Sequence, residues 1–460
     1  MVIPGGPVNG SVRPPGSKSL TNRALICAAF ADGTSRLTGA LVSEDTEVMI
    51  ESLAKIGVQI QTENAGRTLI VHGVGSPSDS DAATGPRSHG PISSAQSEPR
   101  HEMFIANSGT TVRFLTAALS AHGGRYRLSG VERMHERPIG DLVDAIAPAM
   151  IGTIGAVSDG GCPPVEIESS GWTGDPIRVA GSVSSQYLSG LMMAAPVSGK
   201  TVELKIVGEL VSIPYVRMTS ELMRAFGGLT DWHWDAGQSI TTRGRYVGTD
   251  YAIEPDASAA SYFWAAAAIT GGRVRVEGLS EDALQGDVHF VRVLEQMGGR
   301  VAAGPDSIEV KARDLHGVDI DMGEISDTVQ TLSVVALFAD SPTRVRGVAH
   351  NRFKETDRIG NLAIELRKLG ARIDEHDDGM TIYPLSAVDE ARLSESTQPI
   401  VFETYHDHRM AMSFALLGLR LPNIVVMDPA CTGKTYPDFW ADLERLIGRP
   451  HQWRSKESKP

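Results

Sequence analysis

Apolar and polar positions recur along this chain in one order, six times over. A polar cluster leads into an Ala-rich apolar stretch of helical length, then a turn, a β-rich run and a second helical stretch. The clusters are Lys18-Ser19-Leu20-Thr21-Asn22-Arg23, Asn107-Ser108-Gly109-Thr110, Ser184-Ser185-Gln186, Asp256-Ala257-Ser258, Ser326-Asp327-Thr328 and His406-Asp407-His408-Arg409. The β-rich runs reach Gly39, Gly130, Gly208, Gly278, Gly347 or Asp428, and the second helices are expected to close on Gly57, Gly155, Gly227, Gly298, Gly370 and Gly448. From Gly155 onward these closing glycines recur at intervals of 71 to 78 residues, which predicts one supersecondary unit copied along the chain. The interval from Gly57 to Gly155 is longer. It contains a Ser-, Pro- and Gly-rich stretch from Gly75 to His101 with no apolar period, which cannot bury enough surface to offset its ordering entropy. A flexible surface insertion is therefore expected at about 75–101.

Length changes the picture next: 460 residues exceed one ordinary core and predict two or three domains. With 41% hydrophobic and 22% charged residues, the composition is that of a soluble globular protein. No apolar run approaches the roughly 20 residues that span a bilayer, and the N-terminus has no secretory pattern. Cys27, Cys162 and Cys431 are too widely spaced for a metal site and fit a reducing cytoplasm. A net charge of −13 argues against general nucleic-acid binding. Cations that hold an anionic ligand must then be gathered locally.

The polar clusters are where they gather. A helix start offers unpaired backbone N–H groups and roughly half a positive charge, enough to bind phosphate or carboxylate. Six converging starts would form an anion-binding cleft. For Asp256-Ala257-Ser258 an ordinary N-cap explains the residues equally well. Lys18, Arg23 and Arg409 oppose the helix dipole and each requires a compensating anion. Another dense cluster, Asn351 to Arg358, leads into a helix expected over Ile359–Lys368; it reads either as ligand-binding groups or as a salt-bridged, solvated helix start. Gly433-Lys434-Thr435 resembles the end of a phosphate-binding P-loop, but Asp428 stands where that loop needs Gly.

Taken together, GSKSLTNRA (from Gly16), NSGTTVR (from Asn107), ERPIGDLVDA (from Glu136), GSVSSQY (from Gly181), EPDASAASYF (from Glu254), KETDR (from Lys354), HDHRMAM (from His406) and DPACTGKTYPD (from Asp428) resemble, in order, the signature stretches of the 5-enolpyruvylshikimate-3-phosphate synthase family. The resemblance covers nearly the whole chain except the insertion and the tail beyond about Gly448. It implies an α/β fold of two similar lobes, each of three βαβαββ repeats, with the active site in the interlobe cleft. Lobe one would comprise 1–16 plus 255–460 and lobe two 17–254, with crossings near Pro15–Ser17 and Glu254–Asp256, where Pro and Gly supply turn chemistry.

The implied reaction transfers the enolpyruvyl group of phosphoenolpyruvate to the 5-hydroxyl of shikimate 3-phosphate and releases phosphate, a step of the shikimate pathway toward chorismate and the aromatic amino acids. The resemblance implies no metal or organic cofactor, small-molecule partners only, no nucleic acid or membrane, and a cytoplasmic monomer. By matching positions, shikimate 3-phosphate would be held by Lys18, Ser19, Arg23, Ser184, Ser185, Ser212, Asp327, Asn351 and Lys354. Phosphoenolpyruvate would be held by Lys18, Gly109, Arg137, Gln186, Arg358, Arg409 and Lys434. Asp327 would take the hydroxyl proton, and Glu355, or else Lys18, would handle the proton at the methylene carbon. Gly109 also implies sensitivity to glyphosate, since family members with Gly there are typically inhibited.

Four positions depart from the family's commoner pattern: Ser108 for Ala, Phe114 for Pro, Ile213 after the Ser, and His406 for Asn. The nearest rival, a UDP-N-acetylglucosamine enolpyruvyl transferase, carries a reactive Cys ahead of an Arg-Pro; Val131 to Pro138 here has none. A non-catalytic anion-binding repeat protein would not need Asp327 and Glu355 beside the cations.

Overall fold

The first helix of each repeat is buried nearly all round. Ala257–Thr270 is buried from Ala257 to Ile269 and Gly109–His122 from Gly109 to Ala121, because Ala, Gly, Ser and Thr let neighbouring helices approach on every side. A computed structural model of the chain describes residues 1–453 apart from 76–98, 182–183, 211, 235–236 and 312. The insertion expected at about 75–101 lies largely outside the described residues.

The chain divides into two compact units, Gly16–Ile253 and Met1–Pro15 with Glu254–Pro460. In the first unit, three four-stranded sheets each pair two parallel strands with an antiparallel hairpin. Thus His101–Phe104 runs parallel to Gly124–Ser129, which pairs antiparallel with Cys162–Trp172, itself paired with Met150–Ser158. Ile177–Ala180 and Val202–Val207 begin the third repeat in the same way. The first repeat takes its opening strand from far along the chain: Asp250–Ala252 lies parallel to Thr34–Thr38.

The second unit repeats this arrangement. Asn9–Val12, from the N-terminus, is parallel to Arg273–Glu277, so the fourth repeat also borrows its first strand. Asp319–Asp321 and Thr343–Arg346 open the fifth. The sixth departs from the βαβαββ expectation: among the described residues it has only the parallel pair Ile400–Phe402 and Ile424–Val426, with no closing hairpin after helix Phe439–Ile447. The core of this unit gathers helices Ala257–Thr270, Val329–Ala336 and His408–Arg420, with Phe263, Tyr436 and Phe439 in edge or tilted contact.

Two expectations about the repeat need correction. Gly155 closes no helix; it lies within strand Met150–Ser158, and helix Gly140–Ile146 instead ends through a 3₁₀ turn at Ala147–Ala149. By contrast Gly57, Gly227, Gly298, Gly370 and Gly448 follow helices with positive φ, the backbone shape that Gly adopts without steric cost. The helix expected at Ile359–Lys368 runs Gly360–Arg367, its end residues serving as caps.

Candidate active site

The first unit's three repeat helices start on serines. Ser17 accepts a hydrogen bond from Leu20 N, Ser108 from Thr111 N and Ser184 from Gln186 N. No acidic residue stands in any of these first turns, so the dipole ends keep their positive character. Ser108 thus acts as a cap, which accounts for that departure from the family pattern. Ser212 sits in the left-handed region at φ 56° immediately before helix Ile213–Ala225.

Arg23 is buried within this unit at 2% exposure, and its partners are neutral. Its Nε donates to Thr219 Oγ1 at 2.7 Å, Nη1 to Ser19 O at 3.0 Å and Nη2 to Ser189 Oγ at 3.4 Å. The Phe114 ring lies 5.0 Å away, which gives this second departure a role as a cation–π partner. Burial lowers the Arg23 pKa to about 10. Lys18 meets its compensating anion in the protein: Asp45 lies 3.3 Å from its Nζ.

A second set surrounds Gly109. Arg137, 5% exposed, donates from Nη1 to Asn107 O at 3.0 Å and to Asn107 Oδ1 at 3.2 Å. Gln186 accepts from Arg113 Nη1 at 2.7 Å and donates to Thr110 Oγ1 at 3.3 Å. Arg113, which closes the NSGTTVR stretch and was not among the expected site residues, also faces the Tyr187 ring at 5.5 Å. A Cβ on Gly109 would come within 2.5 Å of Arg137 Nη2 and 3.0 Å of Arg113 Nη1, so the missing side chain is what lets both guanidinium groups approach.

The second unit is built differently, from interleaved charges. Arg358, 1% exposed, meets Asp407 at 2.7 Å, Glu355 at 2.8 Å and Asp327 at 3.2 Å. Arg409 Nη2 lies 2.6 Å from the other Asp327 oxygen, and Lys434 Nζ lies 3.1 Å from Glu355. Burial opposes the charge on both arginines; Asp407 foremost at Arg358, and Asp327 foremost at Arg409, outweigh it and raise both pKa values. Lys434 therefore belongs to an ion-pair network and not to a P-loop. The Asp327 side chain keeps 20% exposure, enough to be reached from solvent.

Asp327 caps no helix. It lies in the 3₁₀ turn Gly323–Thr328, and helix Val329–Ala336 starts without a side-chain cap. The turn is held by Asn351 Nδ2, which donates to Ser326 O at 3.0 Å, and by a 3.0 Å contact between His350 Nε2 and Ser326 Oγ. Burial, then Lys354, lowers the His350 pKa to about 4, so the ring is neutral near pH 7.

The stretch from Asn351 to Arg358 answers to both of its readings. Arg352 and Asp357 form a 2.9 Å pair, and Asp357 accepts from Ile359 N and Gly360 N, a structural helix start. Glu355 and Arg358 join the network. Lys354 is half-buried beside them.

The fourth helix start is occupied by the protein itself. Asp256 Oδ1 accepts from Ala259 N at 2.8 Å and Gln285 Oε1 from Ala257 N at 3.1 Å, so the N-cap reading holds and this start offers no anion site. At the sixth, Asp407 caps Arg409 N at 2.9 Å. His406, the remaining departure, faces Asp428 at 2.6 Å on the surface.

The chain matches, over residues 2–443, the family model described as EPSP synthase (3-phosphoshikimate 1-carboxyvinyltransferase). It is 42% identical to a 3-phosphoshikimate 1-carboxyvinyltransferase of Trichormus variabilis, over 96% of this chain and 97% of that protein. A relative of the same name from Marinomonas sp. is 39% identical over 94% and 95% of the two chains. Among solved structures, an EPSP synthase from Acinetobacter baumannii aligns with a TM-score of 0.74 at 26% identity, covering 97% of this chain and 98% of that one. The enolpyruvyl transferase NikO from Streptomyces tendae, at 19% identity and a TM-score of 0.70 over 97% and 96%, shares the fold.

Proposed function

The chain belongs to the EPSP synthase family, and from that premise we propose which of its residues carry the reaction. The reaction transfers the enolpyruvyl group of phosphoenolpyruvate to the 5-hydroxyl of shikimate 3-phosphate and releases phosphate, within the shikimate pathway. Shikimate 3-phosphate is taken by Lys18, Ser19, Arg23, Ser184, Ser185, Ser212, Asp327, Asn351 and Lys354. Phosphoenolpyruvate is taken by Lys18, Gly109, Arg137, Gln186, Arg358, Arg409 and Lys434. Both substrates are phosphorylated carboxylates, which suit helix starts and guanidinium forks.

The observation that carries the assignment is the sharing of two carboxylates among three cations. Asp327 lies between Arg358 and Arg409, and Glu355 between Arg358 and Lys434. An anionic substrate that binds these cations loosens their hold on both carboxyl groups, so that Asp327 can accept a proton and Glu355, protonated from solvent before the step, can carry one. Asp327 then takes the proton of the 5-hydroxyl as its oxygen attacks C2 of phosphoenolpyruvate. Glu355, with Lys18 as the alternative, delivers a proton to the methylene carbon, giving a tetrahedral intermediate. Return of that proton from the methyl group and departure of phosphate restore the double bond. A cytoplasmic monomer is the proposed working state, tested by light scattering on the purified protein.

Gly109→Ala tests the phosphoenolpyruvate set. The new methyl displaces the Arg137 guanidinium, and loss of one charge-assisted hydrogen bond of about 1.5–3 kcal/mol raises KM for phosphoenolpyruvate by at least about tenfold. Inhibition by glyphosate weakens in parallel, while KM for shikimate 3-phosphate stays within about twofold of wild type. Steady-state kinetics check both, and an unchanged KM for phosphoenolpyruvate would remove Gly109 from the pocket.

A further inference from the structure

One more buried carboxyl group stands beside the network and has no part in the reaction as described. Asp287, in the turn Gly286–His289, is 3% exposed. The Ser258 hydroxyl donates a hydrogen bond to its Oδ2. The turn is fastened by Gln285, whose Nε2 donates to Pro255 O at 2.7 Å and to Glu254 Oε2 at 3.1 Å while its Oε1 caps Ala257 N. It packs against both helix Ala257–Thr270 and the turn Gly323–Thr328 that carries Asp327. Asp327, Arg409 and Asp256 are among the charged groups that act on Asp287 electrostatically. Arg409 therefore stands among three carboxyl groups, Asp327 in a 2.6 Å ion pair and Asp256 and Asp287 in electrostatic reach.

We propose that Asp287 is a positioning residue that competes with Asp327 for Arg409, so that phosphoenolpyruvate binds most tightly when Asp287 carries a proton. This rests on the assignment of Arg409 to phosphoenolpyruvate. A protonated Asp287 leaves the guanidinium offset by fewer carboxylates and open to an anion. An ionised Asp287 draws the guanidinium back and adds a negative charge near the incoming substrate. Burial, and next to it the charge of Asp327, raise the Asp287 pKa to about 7, against the pull of Arg409 and Ser258. The neutral form thus prevails below about pH 7, and substrate affinity weakens as pH rises above it.

The test is KM for phosphoenolpyruvate at saturating shikimate 3-phosphate from pH 6 to 8.5, in wild type, Asp287→Asn and Ser258→Ala. The ratio of wild type to Asp287→Asn cancels the titration of the substrate and of all shared groups. It is expected to be near one at pH 6 and to reach at least about threefold at pH 8.5, the change that a half-unit shift of Asp287 on binding gives by linkage. At pH 6 kcat of the variant stays within about twofold of wild type. Ser258→Ala removes a donor to the ionised carboxylate, so its rise in KM moves to higher pH; this variant carries the test if Asp287→Asn does not fold. A ratio independent of pH, or a collapse of kcat at pH 6 with KM unmoved, overturns the proposal. Absence of any turnover in wild type would instead overturn the residue assignment beneath it.

Discussion

Asp327→Asn yields a folded protein that binds shikimate 3-phosphate and turns over about 10²–10⁴-fold more slowly, the range that general base catalysis contributes. Asparagine keeps the size of the side chain and can accept from one guanidinium, but it cannot take the 5-hydroxyl proton. Because Asp327 caps no helix, the exchange leaves the start of Val329–Ala336 unaltered. Its structural cost falls on Arg409, which loses its 2.6 Å partner, whereas Arg358 keeps Asp407 and Glu355. A lower thermal midpoint therefore accompanies the kinetic loss and is measured separately. Titration calorimetry with shikimate 3-phosphate beside steady-state kinetics separates the two effects. Turnover above about a tenth of wild type would move the base role to Glu355 or Lys354.

Arg23→Met is expected to act in opposite directions on binding and on stability. Two charge-assisted hydrogen bonds to a phosphate, at about 1.5–3 kcal/mol each, correspond to at least about 10²-fold in affinity for shikimate 3-phosphate. Stability does not fall, since a buried charge with neutral partners opposes folding and a methionine of similar length removes it. The hydroxyl groups left behind keep partners of their own: Thr219 Oγ1 donates to Tyr215 O at 2.8 Å and lies 2.9 Å from Ser189 Oγ, whose own hydroxyl can donate to it. Calorimetric unfolding and ligand titration on the same preparation check both signs. Unchanged affinity would remove Arg23 from the substrate set, and a large drop in thermal midpoint would make it a structural residue.

The repeats were legible because each rests on local signals. A serine or aspartate cap, an apolar helix and a positive-φ glycine each act within a few residues, and they place most of the helix starts and helix ends correctly. Gly155 misled because glycine also fits the interior of a twisted, bulged strand such as Met150–Ser158, and spacing cannot separate that use from a helix end. The borrowed strands Asn9–Val12 and Asp250–Ala252 pair with partners more than two hundred residues away, and no local pattern reports such pairing. The same distance hid how the site is balanced. Asp327 and Arg409 are 82 residues apart and Glu355 and Lys434 79, so no local pattern in the sequence pairs them.

The two units also divide the work in a way composition did not foretell. Serine caps without acidic first turns leave the starts of Lys18–Ala29, Gly109–His122 and Ser185–Val197 electropositive, with Arg23 held among neutral groups. In the other unit Asp327, Glu355 and Asp407 offset the cations in ion pairs, and Asp256 caps a helix. Helix ends of similar sequence thus serve different chemistry according to whether an acid stands beside them.

The most direct test of the account is phosphate release from phosphoenolpyruvate by the purified chain, measured with shikimate 3-phosphate, with UDP-N-acetylglucosamine and with neither. One phosphate is expected to be released per shikimate 3-phosphate consumed, with none above background in the other two reactions. Release driven by UDP-N-acetylglucosamine, or none with shikimate 3-phosphate from a folded protein, would contradict it.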